Sequence, residues 1–201
     1  MIEISIVTVV AIFLYFSALY VSVKVKYANL QSGTLIYKDF IGKTRQLHEY
    51  FKLIEPDMKD YYLDNDVQIK FPLVALYQHN LAYLSSPRDF KCSIGFYIPV
   101  SNDKIEKFFK KEGYSIVKLP SITKCISCEF PFRADIPPIY PLISMKLNPA
   151  LRVFMRKNEL EINEKQVCME MYFKDLKKMV TYVPLENYEQ FHLNKLRMPS
   201  D

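Results

Sequence analysis

The hydrophobic pattern opens without a polar break. Ile4 to Val23 reads ISIVTVVAIFLYFSALYVSV, free of charge, Pro and Gly, between Glu3 and the pair Lys24 and Lys26. At about 1.5 Å rise per residue, roughly 20 apolar residues cross a hydrocarbon core of about 30 Å. A buried core helix and a cleavable signal peptide are the alternatives. A signal peptide usually carries a basic n-region and small residues before its cleavage point. Here the n-region carries Glu3, and Phe16 would sit at the −3 position before Ala18. The run reads as a retained membrane anchor over 4–23. Lysines beside a membrane helix tend to stay cytosolic, so Lys24 and Lys26 put the C-terminal part on the cytosolic side.

Beyond the run the periodicity changes repeatedly. Lys24 to Gly33 reads as a polar linker, and Thr34 to Phe40 has strand composition. Leu47, Tyr50, Phe51 and Ile54 fall on one helical face. Glu55 to Asp66, acidic and Tyr-rich around Pro56, reads as a loop or insertion. Phe71 to Tyr77 is a near-continuous apolar run, as in a strand covered on both faces. Cys92 to Ile98 alternates, with Phe96 on one side and Tyr97 on the other. Asp103 to Glu112 predicts a helix capped by Asp103 and stopped at Gly113.

Two more strands are expected at Tyr114 to Leu119 and Lys124 to Phe132. Leu142 to Asn158 is helical in pattern, either as one kinked helix or as a short lead-in followed by a helix from Pro149. Val167 to Phe173 and Met179 to Val183 alternate as strands around a turn at Asp175 to Lys178. The order strand, helix, strand, strand therefore occurs twice. Two such units bury their half-covered sheets by joining, which predicts an α+β fold.

Composition narrows the chemistry. The chain has 201 residues, half of them hydrophobic, with 14% aromatic residues and no Trp, so a packed core is expected. A net charge of +5, with lysines scattered among acids, suits an ordinary solvated surface rather than a nucleic-acid stripe. Gly33, Gly42, Gly95 and Gly113 lie too far apart to build a phosphate-cradling loop. Cys125 and Cys128 form a CxxC, but their flanks read as a strand. Residues three apart in a strand face opposite ways, which disfavours a disulfide or a shared metal. Neither a catalytic motif nor a cofactor fingerprint is present, so no enzyme, cofactor or metal is expected.

Glu170 stands out within VCMEMYF. It shares a strand face with Cys168 and Tyr172, while Met169 and Met171 take the other. A carboxylate among aromatic rings attracts a cationic, apolar ligand. A solvated face or an ion pair with a lysine stays open as the alternative.

The anchor and linker, followed by GTLIYKDFIGKTRQL, FKCSIG, FFKKEGY, NPALRVFMR and CMEMY, resemble the testis-expressed ER-phagy receptor family with a GyrI-like domain. The resemblance runs from the anchor to about Val183. It implies residues 1–3 in the lumen, the anchor in the endoplasmic reticulum membrane, and a cytosolic GyrI-like domain over 34–189 followed by a short tail, 190–201. Its fold would be two strand-helix-strand-strand units around a shared cleft. By position the family's cleft glutamate maps onto Glu170. Tyr172, on the same strand face, and Tyr97 complete the candidate cleft for a small molecule or lipid.

The resemblance also implies an adaptor in reticulophagy, joining the membrane to ubiquitin-like autophagosomal proteins through an aromatic-x-x-aliphatic motif. In that family the motif lies in a long acidic tail, whereas the sequence here runs to Asp201 without one. Matches at Tyr50 to Leu53, Phe71 to Val74 and Tyr182 to Leu185 fall in predicted helix or strand. The alternative to the adaptor is a membrane-tethered module that binds a cationic or apolar small molecule.

Overall fold

A computed structural model of the chain describes residues 23–42, 46–65, 70–78, 90–131, 139–161 and 166–193, together with Thr8. Apart from Thr8 and Val23, the expected anchor lies outside the described residues. Among these residues no helix is long and apolar enough to cross a membrane.

The strands are β1 (Lys24–Leu30), β2 (Gly33–Gly42), β3 (Leu73–Tyr77), β4 (Phe90–Ile98), β5 (Ser115–Leu119), β6 (Ile122–Pro131), β7 (Cys168–Phe173) and β8 (Lys178–Pro184). The helices are α1 (Leu47–Asn65), α2 (Asp103–Lys111) and α3 (Ile139–Lys157), and a 3-10 turn closes the series at Tyr188–Phe191. All strands join one eight-stranded sheet in the order β1-β6-β8-β7-β3-β4-β2-β5. Every pairing is antiparallel.

The doubled order expected from sequence is the architecture observed. One unit is β2-α1-β3-β4 and the other β6-α3-β7-β8, and they meet where β3 pairs with β7. Each unit also receives a strand from the other's lead-in. β1 precedes β2 in the chain but pairs with β6, while β5 precedes β6 but pairs with β2. The two long helices match as well: each has 19 residues and an internal proline, Pro56 in α1 and Pro149 in α3.

Both sheet faces are buried, which explains the apolar run of β3, where Val74, Ala75 and Leu76 are fully enclosed. One face carries Phe96, Tyr172 and Phe130 under Phe51, Ile54 and Met58 of α1, Ile105 and Phe109 of α2, and Leu147 and Leu151 of α3. The opposite face carries Leu35, Val74, Leu76, Met169 and Tyr97, and packs with Phe191 and Leu193 near the C-terminal end.

Three local expectations change. Residues 24–30, expected in a polar linker, form edge strand β1; only Leu30 in it is fully buried, so its exposed lysines hide the strand pattern. Residues 55–65, expected as a loop, continue α1, because Phe51, Ile54, Met58 and Tyr61 hold one buried helical stripe across Pro56. The cap of α2 is Asn102 rather than Asp103: its Oδ1 accepts the Ile105 N–H at 3.0 Å. Of the two forms left open around Pro149, the helix passes through the proline.

Candidate functional site

Glu170 lies near the middle of β7, close to the seam between the two units, on the sheet face covered by the helices. Its direct cross-strand neighbours are Ala75 on β3 and Thr181 on β8. Two phenols converge on one oxygen of its carboxylate. Tyr77 donates to Oε2 at 2.8 Å, and Tyr172 donates to the same atom. Oε1 takes no hydrogen bond among the described residues, and the side chain is 5% exposed.

Among the described residues Glu170 is the only buried Asp, Glu, Lys or Arg, and no cationic side chain pairs with it. Burial raises its pKa, and the two phenols pull it partly back by favouring the anion. The same burial, reinforced by the Glu170 charge, holds Tyr77 and the Cys92 and Cys168 thiols well above their ordinary ranges.

A cavity of about 440 Å³ has Tyr172, but not Glu170 itself, in its lining, and is bounded by the second half of α1, the lead-in to β3 and the β7–β8 turn. Its apolar lining includes Met58, Tyr62, Phe71, Leu73, Phe96 and Tyr172. Tyr172 is therefore shared: one side walls the cavity and its hydroxyl holds Glu170. Phe51 packs edge-on against that ring at 5.0 Å between centroids. Tyr62 steadies the wall by accepting the Phe71 N–H at 2.6 Å. At the mouth Lys70 pairs with Asp175 at 3.0 Å and Lys174 pairs with Glu55, tying the β7–β8 turn to its surroundings.

The structure brings two of the three sequence candidates together. Glu170 and Tyr172 are in direct contact, whereas Tyr97 lies on the opposite sheet face. Leu73 pairs with both Phe96 and Tyr172, so Phe96 shares the face of Glu170 and Tyr97 must point away. There Tyr97 caps the β1–β2 connection, donating to the Gln31 carbonyl. Its ring lies so close to Gly33 that an added Cβ would collide with it.

Tyr77 and Thr181 were missed by sequence reasoning. Tyr77 ends a run apolar on both faces, which hides its orientation; a phenol closing such a run was the available signal, since a buried hydroxyl needs a partner.

Cys125 and Cys128 fall in the cores of opposite faces, as strand geometry requires. Burial pushes each thiol up to about 12, far from a reactive thiolate. Among the described residues no cluster of His, Cys, Asp and Glu could hold a metal. Of the aromatic-x-x-aliphatic segments, Tyr50 to Leu53 is helical. Phe71 to Val74 runs into β3 and Tyr182 to Leu185 leaves β8, both flanked by neighbouring strands on each side.

The sequence matches no protein-family model and no curated protein. Solved structures do match. An EcmrR–DNA complex is 11% identical with a TM-score of 0.50, covering 89% of this chain and 64% of that one. SAV2435 bound to tetraphenylphosphonium is 14% identical with a TM-score of 0.47, covering 84% and 98%. A hydrolase from Listeria innocua is 11% identical with a TM-score of 0.48, covering 85% and 96%. At such identities the likeness concerns the fold, and with the two-unit, helix-covered sheet it identifies a GyrI-like fold.

Proposed function

We propose that this chain is a binding module for a small hydrophobic cation. The observation that carries the reading is Glu170, a buried carboxylate without a cationic side-chain partner among the described residues, joined through Tyr172 to an apolar cavity. A lone buried carboxylate is costly, and it either takes up a proton or acquires a positive partner. An organic cation meets that need while its hydrophobic body fills the cavity, and aromatic rings at its edge favour positive charge. On this reading Tyr172, which lines the cavity and bonds Oε2, is the residue through which the cavity and the carboxylate communicate.

Isothermal titration with tetraphenylphosphonium tests this, using a permanent cation with no proton to lose. Saturable binding by the wild type is expected, with Glu170→Gln weakening it at least tenfold, about 1.4 kcal/mol. Equal binding by the two proteins would remove Glu170 from the site.

The adaptor reading keeps one observation in its favour, the uncharged run over 4–23 that leads directly into β1. On this second proposal the run anchors the domain in the endoplasmic reticulum membrane, with the domain in the cytosol and ubiquitin-like autophagosomal proteins as partners. Protease protection of microsomes and a pull-down with those partners test it. Extraction of the protein by alkaline carbonate would exclude the anchor.

A further inference from the structure

Glu170 and Thr181 form a direct cross-strand pair on β7 and β8, which places their Cβ atoms about 4.5–5.5 Å apart on one face. Thr181 is fully buried, and its Oγ1 makes no hydrogen bond among the described residues. Glu170 Oε1 is also without one among the described residues, because both phenols converge on Oε2. The other cross-strand neighbour, Ala75, offers only a methyl group. A buried hydroxyl without a partner among the described residues thus shares a sheet face with the carboxylate, although buried polar atoms are normally satisfied.

We propose that Glu170 Oε1 and Thr181 Oγ1 together form the seat of a protonated primary or secondary amine, so that the preferred ligands carry N–H donors and quaternary cations bind less well. This rests on the cation-binding reading above and narrows its ligand class. A quaternary cation satisfies the charge of Glu170 but gives neither oxygen a hydrogen. An ammonium with two N–H groups gives one to each, and the hydrogen bond to the carboxylate is charge-assisted. Leaving the buried Thr181 hydroxyl unmet is expensive, so about a tenfold preference is expected. Thr181 is accordingly a specificity residue, and Glu170 the charge.

A matched pair of probes tests the idea: 4-(diphenylmethyl)piperidine, protonated at neutral pH, and the N,N-dimethylpiperidinium ion made from it by methylation. Titrated into the wild-type protein, the amine should bind about tenfold more tightly. Thr181→Val keeps the shape of the side chain and its strand preference but cannot accept a hydrogen bond. It should bring the amine down to the affinity of the quaternary ion while leaving the latter unchanged, and Thr181→Ser should keep the preference. Circular dichroism checks that each variant folds. If Thr181→Val does not, the ranking of the two probes by the wild type still decides.

Equal affinities in the wild type, or tighter binding of the quaternary ion, would overturn the amine preference and leave the cation-binding reading standing. A preference that survives Thr181→Val would overturn the role of Thr181. Failure of the wild type to bind either probe, or tetraphenylphosphonium, would sink the cation reading and this inference with it.

Discussion

The ionisation of Glu170 sets two outcomes at the level of single residues. Its pKa is raised in the folded protein because burial disfavours the anion more than Tyr77 and Tyr172 support it. Below the ordinary carboxyl range of about 4.3 the group is protonated in both states and costs nothing. As pH rises, the unfolded chain ionises first, so wild-type stability falls until the folded carboxyl has ionised too. Glu170→Gln removes this loss. Thermal melts without ligand should show the variant matching the wild type near pH 4 and melting higher at pH 8. A constant offset across that range would place the carboxyl in an ordinary environment. Binding of a permanent cation has the opposite pH dependence, strengthening as pH rises through the folded pKa, because proton and cation compete for one oxygen pair.

Residues also show where the sequence was readable. The shared face of Glu170 and Tyr172 follows from strand alternation alone, since they lie two apart on β7. The separation of Cys125 from Cys128 follows the same way. The placement of Tyr97 does not. Alternation put it opposite Phe96, but which side of β4 faces Glu170 depends on the registers of β4 with β3 and β3 with β7. Thr181 became interesting only through its register with Glu170.

Elements were legible where one face dominates and obscured where tertiary partners supply the reason for forming. Strand β4 alternates cleanly and was evident, whereas β1 exposes much of its length and exists through pairing with β6. Helix α1 shows the same limit. Pro56 and a run of acids suggest a break, since an internal proline removes one backbone bond and costs about 3 kcal/mol in an isolated helix. Packing of Met58 and Tyr61 into the core offsets that cost and carries the helix on to form a cavity wall. The cap of α2 is a simpler case. Asn102→Ala loses the bond to the Ile105 N–H and should destabilise the protein by about 1 kcal/mol in urea denaturation. An unchanged midpoint would mean that the cap bond contributes nothing.

At the scale of the whole molecule, the exchange of lead-in strands decides how the protein comes apart. Two units joined only through β3 and β7 would be able to unfold one after the other. Here each unit's outermost strand arrives from the chain segment that begins the other, so separating the units strips β1 from β6 and β5 from β2 as well. Cavity and carboxylate also lie along the seam, with Tyr172 and Glu170 from one unit and Leu73, Tyr77 and Met58 from the other. Unfolding should therefore be a single transition despite the doubled architecture. Differential scanning calorimetry should give a calorimetric enthalpy equal to the van't Hoff value. Because the chain has no Trp, single tryptophans at Phe51 in the first unit and Phe154 in the second can report separately. Both should lose their signal at the same urea concentration. Two separated midpoints would show that the exchanged strands do not couple the units, and a ligand seated on the seam would then have to supply that coupling itself.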